Sequence, residues 1–191
     1  MPNLYIISGC NGAGKTTASF TVLPEMLNCK EFVNADEIAK GISPFNPESV
    51  AIQAGKIMLT RIDELLNNQK DFAIETTLTT KSYLNTIARA KSVGYKITLL
   101  FFWLNDVELA IERVKIRVSE GGHNIPEEVI RRRYFRGMMN LKLFCAEANY
   151  WLIIDSSDGR LQFIAEGNLN KEITIFEKGI WSKLNLMSNG K

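Results

Sequence analysis

Short apolar runs alternate along the chain with longer segments whose apolar residues recur at helical spacing. Residues 4–8 form an apolar run that ends in a glycine-rich turn, the pattern of a strand covered on both faces. A helix is predicted from Lys15 to about Pro24, and Phe32 with Val33 forms a second, shorter strand. Asn46-Pro47-Glu48 has the order of a helix start: a capping side chain, proline at the first helical position, and an acid near the positive dipole end. Val50, Ala54, Ile57, Met58, Ile62 and Leu65 continue that helix. A strand at 72–74 and a helix at 80–93, stopped by Gly94, precede a strongly apolar strand at 96–104. Asn105 and Glu108 have the spacing of a capping box, ahead of a buried stripe of Val107, Ala110, Ile111, Val114 and Val118. Gly121-Gly122-His123 breaks this helix, and Pro126-Glu127-Glu128 opens another that runs to about Glu147. Residues 151–154 are the last core strand, and 162–165 with 172–176 are predicted to pair as a terminal hairpin.

This order predicts an α/β fold: a parallel sheet of about five strands with helices on both faces and a small C-terminal hairpin. Right-handed crossovers bring the loops after Ser8, Val33, Ile74 and Ile154 to the carboxyl edge of that sheet, where α/β proteins build their sites. A chain of 191 residues suits one domain, 1–191. Lys plus Arg number 23 against 21 acids, too even a balance for bulk nucleic-acid binding, so a basic site must be local. Three cysteines without metal-ligand spacing imply reduced thiols. The longest apolar run, 99–104, is far short of a membrane span, and residues 1–8 do not have the form of a signal peptide. A cytoplasmic protein without membrane contact is the expectation.

Gly9-Cys10-Asn11-Gly12-Ala13-Gly14-Lys15-Thr16 fits the Walker A pattern between an apolar strand and a helix. Glycines let the backbone wrap a phosphate, and the following helix adds its positive end. Gly9, Asn11, Gly12, Ala13, Gly14, Lys15, Thr16 and Thr17 are the predicted ATP cradle. Lys15 should be a solvent-facing ligand of the β- and γ-phosphates, and the Thr16 hydroxyl a ligand of Mg²⁺. The pattern predicts a P-loop NTPase or kinase fold using ATP and Mg²⁺.

Two acidic positions fall at strand ends beside this loop. Asp36 is placed to take the proton of an attacking hydroxyl, or else to cap the short helix that follows. Glu75, followed by Thr76 and Thr77, is placed to contact an acceptor or the magnesium water shell, or else is plain strand-end polarity. Arg113 and Arg117 share one helix, and Arg131, Arg132, Arg133 and Arg136 crowd the start of the next. They form either an arginine-bearing lid that stabilises a transferring phosphoryl group or a solvated face paired with Glu112, Glu120, Glu127 and Glu128. His123, the one histidine, belongs with lid structure rather than catalysis.

The ordered set of Walker loop, Asn34-Ala35-Asp36, Glu75-Thr76-Thr77 and the stretch from Arg117 to Arg136 resembles the zeta-toxin family of small P-loop kinases. That resemblance implies Asp36 as general base, Lys15 as phosphate lysine, Glu75 and Thr77 as sugar-nucleotide contacts, and Arg117 with Arg131 or Arg132 as phosphate-binding arginines. It also implies UDP-N-acetylglucosamine as the hydroxyl acceptor and a small antitoxin protein that blocks the ATP site. The chain is shorter than typical members that phosphorylate sugar nucleotides, so their substrate-wall insertions are expected to be missing. The rival readings are a kinase for another metabolite or nucleotide, and a P-loop ATPase module that drives a partner.

Overall fold

The computed structural model describes residues 1–122 and 124–188, so His123 lies outside the described residues. Strand β1 (Asn3–Gly9) leads into helix α1 (Lys15–Thr21), and β2 (Phe32–Val33) into α2 (Ala35–Ile42). Then follow α3 (Ala51–Asn67), β3 (Phe72–Thr76), α4 (Ser82–Ser92), β4 (Lys96–Trp103), α5 (Val107–Ser119) and α6 (Glu127–Glu147). The chain closes with β5 (Tyr150–Asp155), β6 (Gln162–Asn168), β7 (Ile173–Ile175) and α7 (Lys178–Ser188).

Among the described residues there is one sheet, ordered β2-β3-β1-β4-β5-β6-β7. The first five strands are parallel, with Ser8 opposite Thr76 on one side of β1 and Phe101 on the other. β6 and β7 add on antiparallel, so the expected hairpin extends the main sheet to seven strands instead of standing apart from it. Leu4, Ile6, Phe72, Ile74 and Ile97 are fully buried, which is why these strands read as unbroken apolar runs.

The described structure corrects several local expectations. Asn46 makes no side-chain cap bond; Pro47–Val50 is a 3₁₀ turn, and the α-helix proper starts at Ala51. Ile57 faces outward, and Leu66 takes a place in the core instead. The cap of α5 is Asp106, whose Oδ1 accepts from the Glu108 N–H at 3.0 Å. Asn105 is still leaving the strand, and its N–H donates to Ser157 Oγ at 2.9 Å, tying the ends of β4 and β5 together. Helix α7 is absent from the expected elements. It seats Trp181 in a near-parallel stack on Trp151 (5.9 Å, 8°) and buries Leu184. The spacing of Ile180, Leu184 and Met187 was the signal that could have found it.

Helix α6 crosses the end of β3 so closely that a Cβ at Gly137 would lie 2.6 Å from the Thr77 carbonyl oxygen. A backbone oxygen cannot turn aside, so Gly137→Ala should destabilise. Overpacking of this kind costs about 1–3 kcal/mol, more than the roughly 1 kcal/mol that Gly→Ala contributes inside a helix. Gly55→Ala in α3, where nothing lies within 4 Å, should stabilise instead. Urea unfolding of both variants gives opposite signs on this account.

Candidate active site

β1 runs straight into the phosphate-loop sequence, and neighbouring backbone presses on it from two sides. Gly9 has φ +140°, and a Cβ there would lie 2.1 Å from the Phe102 carbonyl oxygen of β4. Gly12 has φ +80°, and its Cβ would lie 2.8 Å from the Ala110 carbonyl oxygen of α5. Gly14 stands at the N-cap of α1 with no side chain, so no capping oxygen competes for the N–H groups of the first turn. Ser156 Oγ, just past β5, reaches the Ala13 carbonyl at 3.0 Å. Burial pushes the Cys10 thiol up to about 11, so it stays protonated near neutral pH.

Glu75 gathers the polar side chains behind this loop. Its Oε2 accepts from Thr16 Oγ1 (2.8 Å) and from Asn34 Nδ2 (2.9 Å), and its Oε1 lies 3.6 Å from Lys15 Nζ. Lys15 Nζ also donates to the Cys10 carbonyl at 2.8 Å. The expectation that Lys15 faces solvent is not met: it is 6% exposed, because its stem lies along the loop and its ammonium is drawn to the carboxylate. The Asn34 amide has two uses. Its nitrogen holds Glu75, and its Oδ1 caps α2 by accepting from the N–H groups of Asp36 (2.8 Å) and Glu37 (3.4 Å). Asp36 is therefore not the cap; it is an exposed residue in the first turn of α2.

Asp36 stands where two clefts meet. One, of about 290 Å³, is lined by the loop from Asn11 to Thr17, Glu75, Arg113 and Arg117. The other, of about 330 Å³, is lined by Ala39, Pro47, Ala51, Val129, Arg132 and Arg133, among others. Thr77 lines neither cleft. Its hydroxyl pairs with that of Thr79 at 2.7 Å, in a loop held by Asn140 Nδ2 bonding to the Leu78 carbonyl.

The arginines divide by helical phase. Arg113 and Arg117 both face the phosphate-loop cleft, and Arg113 Nη2 donates to the carbonyls of Ser156 (2.9 Å) and Ser157 (2.6 Å). Arg133 Nη1 donates to Asn11 Oδ1 at 3.3 Å; burial lowers its pKa while the charge of Asp36 opposes the shift. Arg131 points elsewhere, making a two-pronged pair with Glu108 on the exposed side of α5, and Arg136 is exposed. Successive helical residues lie about 100° apart, so a run of three arginines cannot all face one cleft. Arg133 has the phase of Ile130 and Gly137, both buried, and that is the signal that sets it apart from its neighbours. At the end of α5, Gly121 has φ +89°, and a Cβ at Gly122 would meet Arg117 Cγ at 2.7 Å.

The donor set suits the ligands that a Walker loop implies. Thr16 and Glu75 place hard oxygens side by side, a donor type that fits Mg²⁺, which takes one or two protein oxygens and fills its shell with phosphate and water. No helix among the described residues is long and apolar enough to cross a membrane.

Solved structures share the fold. The complex of AvrRxo1-ORF1 and AvrRxo1-ORF2 with sulphate ions is similar over 96% of this chain, with a TM-score of 0.76 at 15% identity. The same complex with ATP gives a TM-score of 0.74 at 16% identity, and in both cases this chain spans 63% of the matched chain. A structure from the PezAT chromosomal toxin–antitoxin system of Streptococcus pneumoniae covers 100% of this chain and 87% of its own, with a TM-score of 0.65 at 17% identity. An uncharacterized protein of Haemophilus influenzae is 32% identical over 127 residues, 66% of this chain and 88% of that one. The zeta toxin family model matches residues 1–161, the stretch that carries the phosphate loop, Asp36, Glu75 and both groups of arginines, and the chain belongs to that family.

Proposed function

We propose that the protein is a single-domain kinase that moves the γ-phosphate of ATP to a hydroxyl of a small molecule, with UDP-N-acetylglucosamine as the first candidate acceptor. The observation that carries this reading is the position of Asp36 between the phosphate-loop cleft and a second pocket lined by Arg132 and Arg133. A hydrolase needs only a water beside the γ-phosphate, whereas a second pocket sharing its carboxylate with the first has room for an acceptor. Family membership and the ATP complex of the AvrRxo1 neighbour support the same choice.

In this reading ATP lies along the loop from Gly9 to Thr17, and the acceptor hydroxyl approaches from the second pocket. Asp36 takes the hydroxyl proton as the new oxygen–phosphorus bond forms, and the bond from Pγ to the bridging oxygen breaks to release ADP. Lys15 holds the β- and γ-phosphate oxygens. Thr16 and Glu75 hold Mg²⁺, which supplies charge neutralisation at the phosphates. Arg117, Arg132 and Arg133 face the clefts and serve as clamps for the transferring group. The pairing of Arg131 with Glu108 speaks against giving it this task. Glu75 accepts from Thr16 and Asn34 on Oε2 and faces the Lys15 ammonium with Oε1, which favours metal and lysine positioning over sugar contact, and Thr77 lines neither cleft. A small antitoxin protein covering the ATP cleft and a cytoplasmic location complete the reading, the first supported by the PezAT neighbour.

A panel of hydroxylated metabolites and nucleotides, with UDP-N-acetylglucosamine included, should show label transfer from γ-labelled ATP to one acceptor class. ATP turnover that is the same with and without every acceptor would instead support the ATPase reading. Asp36→Asn should lower transfer about 10²–10⁴-fold with little change in ATP affinity. Since Asn34 is the cap, thermal stability should hold; near-normal turnover in that variant would remove Asp36 as the base. Arg117→Ala, Arg132→Ala and Arg133→Ala should each cut single-turnover rates strongly, by up to the roughly 10³–10⁵-fold seen for arginine fingers. Arg131→Ala should stay near wild type, since exposed pairs contribute about 0–1 kcal/mol. Equal losses in all four would mean that helical phase does not select the clamps.

A further inference from the structure

β7 is the last strand of the sheet, and its outer edge carries backbone groups that the sheet does not use. In its pairing with β6, Thr174 lies opposite Glu166, the Asn168 N–H donates to the Glu172 carbonyl (3.3 Å), and the Phe176 N–H donates to the Ile164 carbonyl (2.9 Å). Antiparallel bonds alternate along a strand, so residues 172, 174 and 176 bond inward while Ile173 and Ile175 turn their N–H and C=O outward. All three strand residues are exposed, Ile173 at 50% and Ile175 at 38%. Edges are commonly guarded by shortness, lysine, proline or a bulge; Ile173–Ile175 is only three residues long but carries no lysine, proline or bulge. Leu169, Phe163 and Phe176 are exposed beside it and widen the apolar patch.

We propose that this edge pairs with the same edge of a second copy of the chain, antiparallel, across a two-fold axis at Thr174. The register follows from which backbone groups are uncommitted. An axis at Ile173 would call on the Lys171 N–H, which already donates to the Asn168 carbonyl at 3.0 Å. An axis at Ile175 would call on the Glu177 N–H, which already donates to the Ile164 carbonyl at 3.1 Å. An axis at Thr174 sets Ile173 opposite Ile175 of the partner subunit, and the reverse, so every outward N–H and C=O of the strand finds a partner. Residue 174 then faces its own copy in the closer, non-hydrogen-bonded position, where threonine pairs well. The four isoleucines cluster on one face around the axis. Beyond them Lys171 falls at the end opposite Glu177 of the partner subunit, and no like charges oppose. An edge that matches itself under a two-fold operation is what an isologous dimer requires. The strand is short, so the contact falls below the roughly 1,200 Å² of stable interfaces, and the dimer exchanges with monomer.

Sedimentation velocity of the full chain over a concentration series should show a reversible monomer–dimer equilibrium. Ile175→Pro removes an outward N–H that β6 does not use, and Ile175→Lys places charge on the edge. Each should sediment as monomer where wild type is dimeric, with an unchanged unfolding midpoint; the lysine variant decides the matter if the proline variant fails to fold. Thr174→Cys should form a disulfide-linked dimer under mild oxidation, and wild type should not. A wild type that stays monomeric throughout, a dimer that both Ile175 variants leave intact, or a dimer in which Cys at 174 does not cross-link would each overturn the proposal.

Discussion

The Glu75 carboxylate at the end of β3 is the point on which the arrangement of the cleft depends. It meets the ammonium of Lys15 and the hydroxyl of Thr16 from the phosphate loop, and the amide of Asn34 from the end of β2. Both charged partners are nearly buried, at 6% and 10% side-chain exposure. A buried pair contributes little net stability, because desolvation offsets attraction, but losing one member strands a charge at a cost of about 3–5 kcal/mol. The interaction therefore acts mainly to fix geometry. It holds the loop, β2 and β3 in one relation, and through Asn34 it also sets where α2 begins and hence where Asp36 stands.

Backbone crowding supplies the other half of this constraint. Gly9 lies against β4 and Gly12 against α5, each with a positive φ and no room for a side chain. The loop thus takes its shape from strand and helix packing as much as from its own residues. β5 joins in through Ser156 and through the carbonyls that Arg113 grips, so the turn after β5 moves with the loop. Polar bonds behind the loop and steric contacts in front hold its concave side toward the cleft. That rigidity suits positioning and charge stabilisation, on which phosphoryl transfer relies.

Helix α6 links the functional surfaces. Its first turns carry Arg132 and Arg133, its middle holds the loop after β3 through Gly137 and Asn140, and its inner face buries Leu141 and Phe144. The arginines are therefore mounted on a helix anchored in the core over much of its length. Side chains so mounted keep their phase relative to Asp36, and for that reason neighbouring arginines on the same helix have unlike surroundings.

The alternation of strands and helices, the parallel core of five strands and the Walker loop are legible in the chain alone. Each of these rests on local pattern: apolar runs of strand length, helical spacing, and glycines whose backbone freedom the loop needs. The positions of Asp36 and Glu75 at strand ends were legible for the same reason. The remaining features come from packing between distant segments. That Asn34 and not Asp36 is the cap, that Lys15 is buried against Glu75, and that Thr77 turns away from both clefts depend on contacts between residues up to 62 positions apart, the separation in the bond from Asn140 to the Leu78 carbonyl. Arg131, Arg132 and Arg133 look alike in the chain, and only the phase of α6 against α5 and the loop sends one to Glu108 and another to Asn11. Periodicity shows which residues share a helix face, but the partner that face meets is set by packing across the whole sheet.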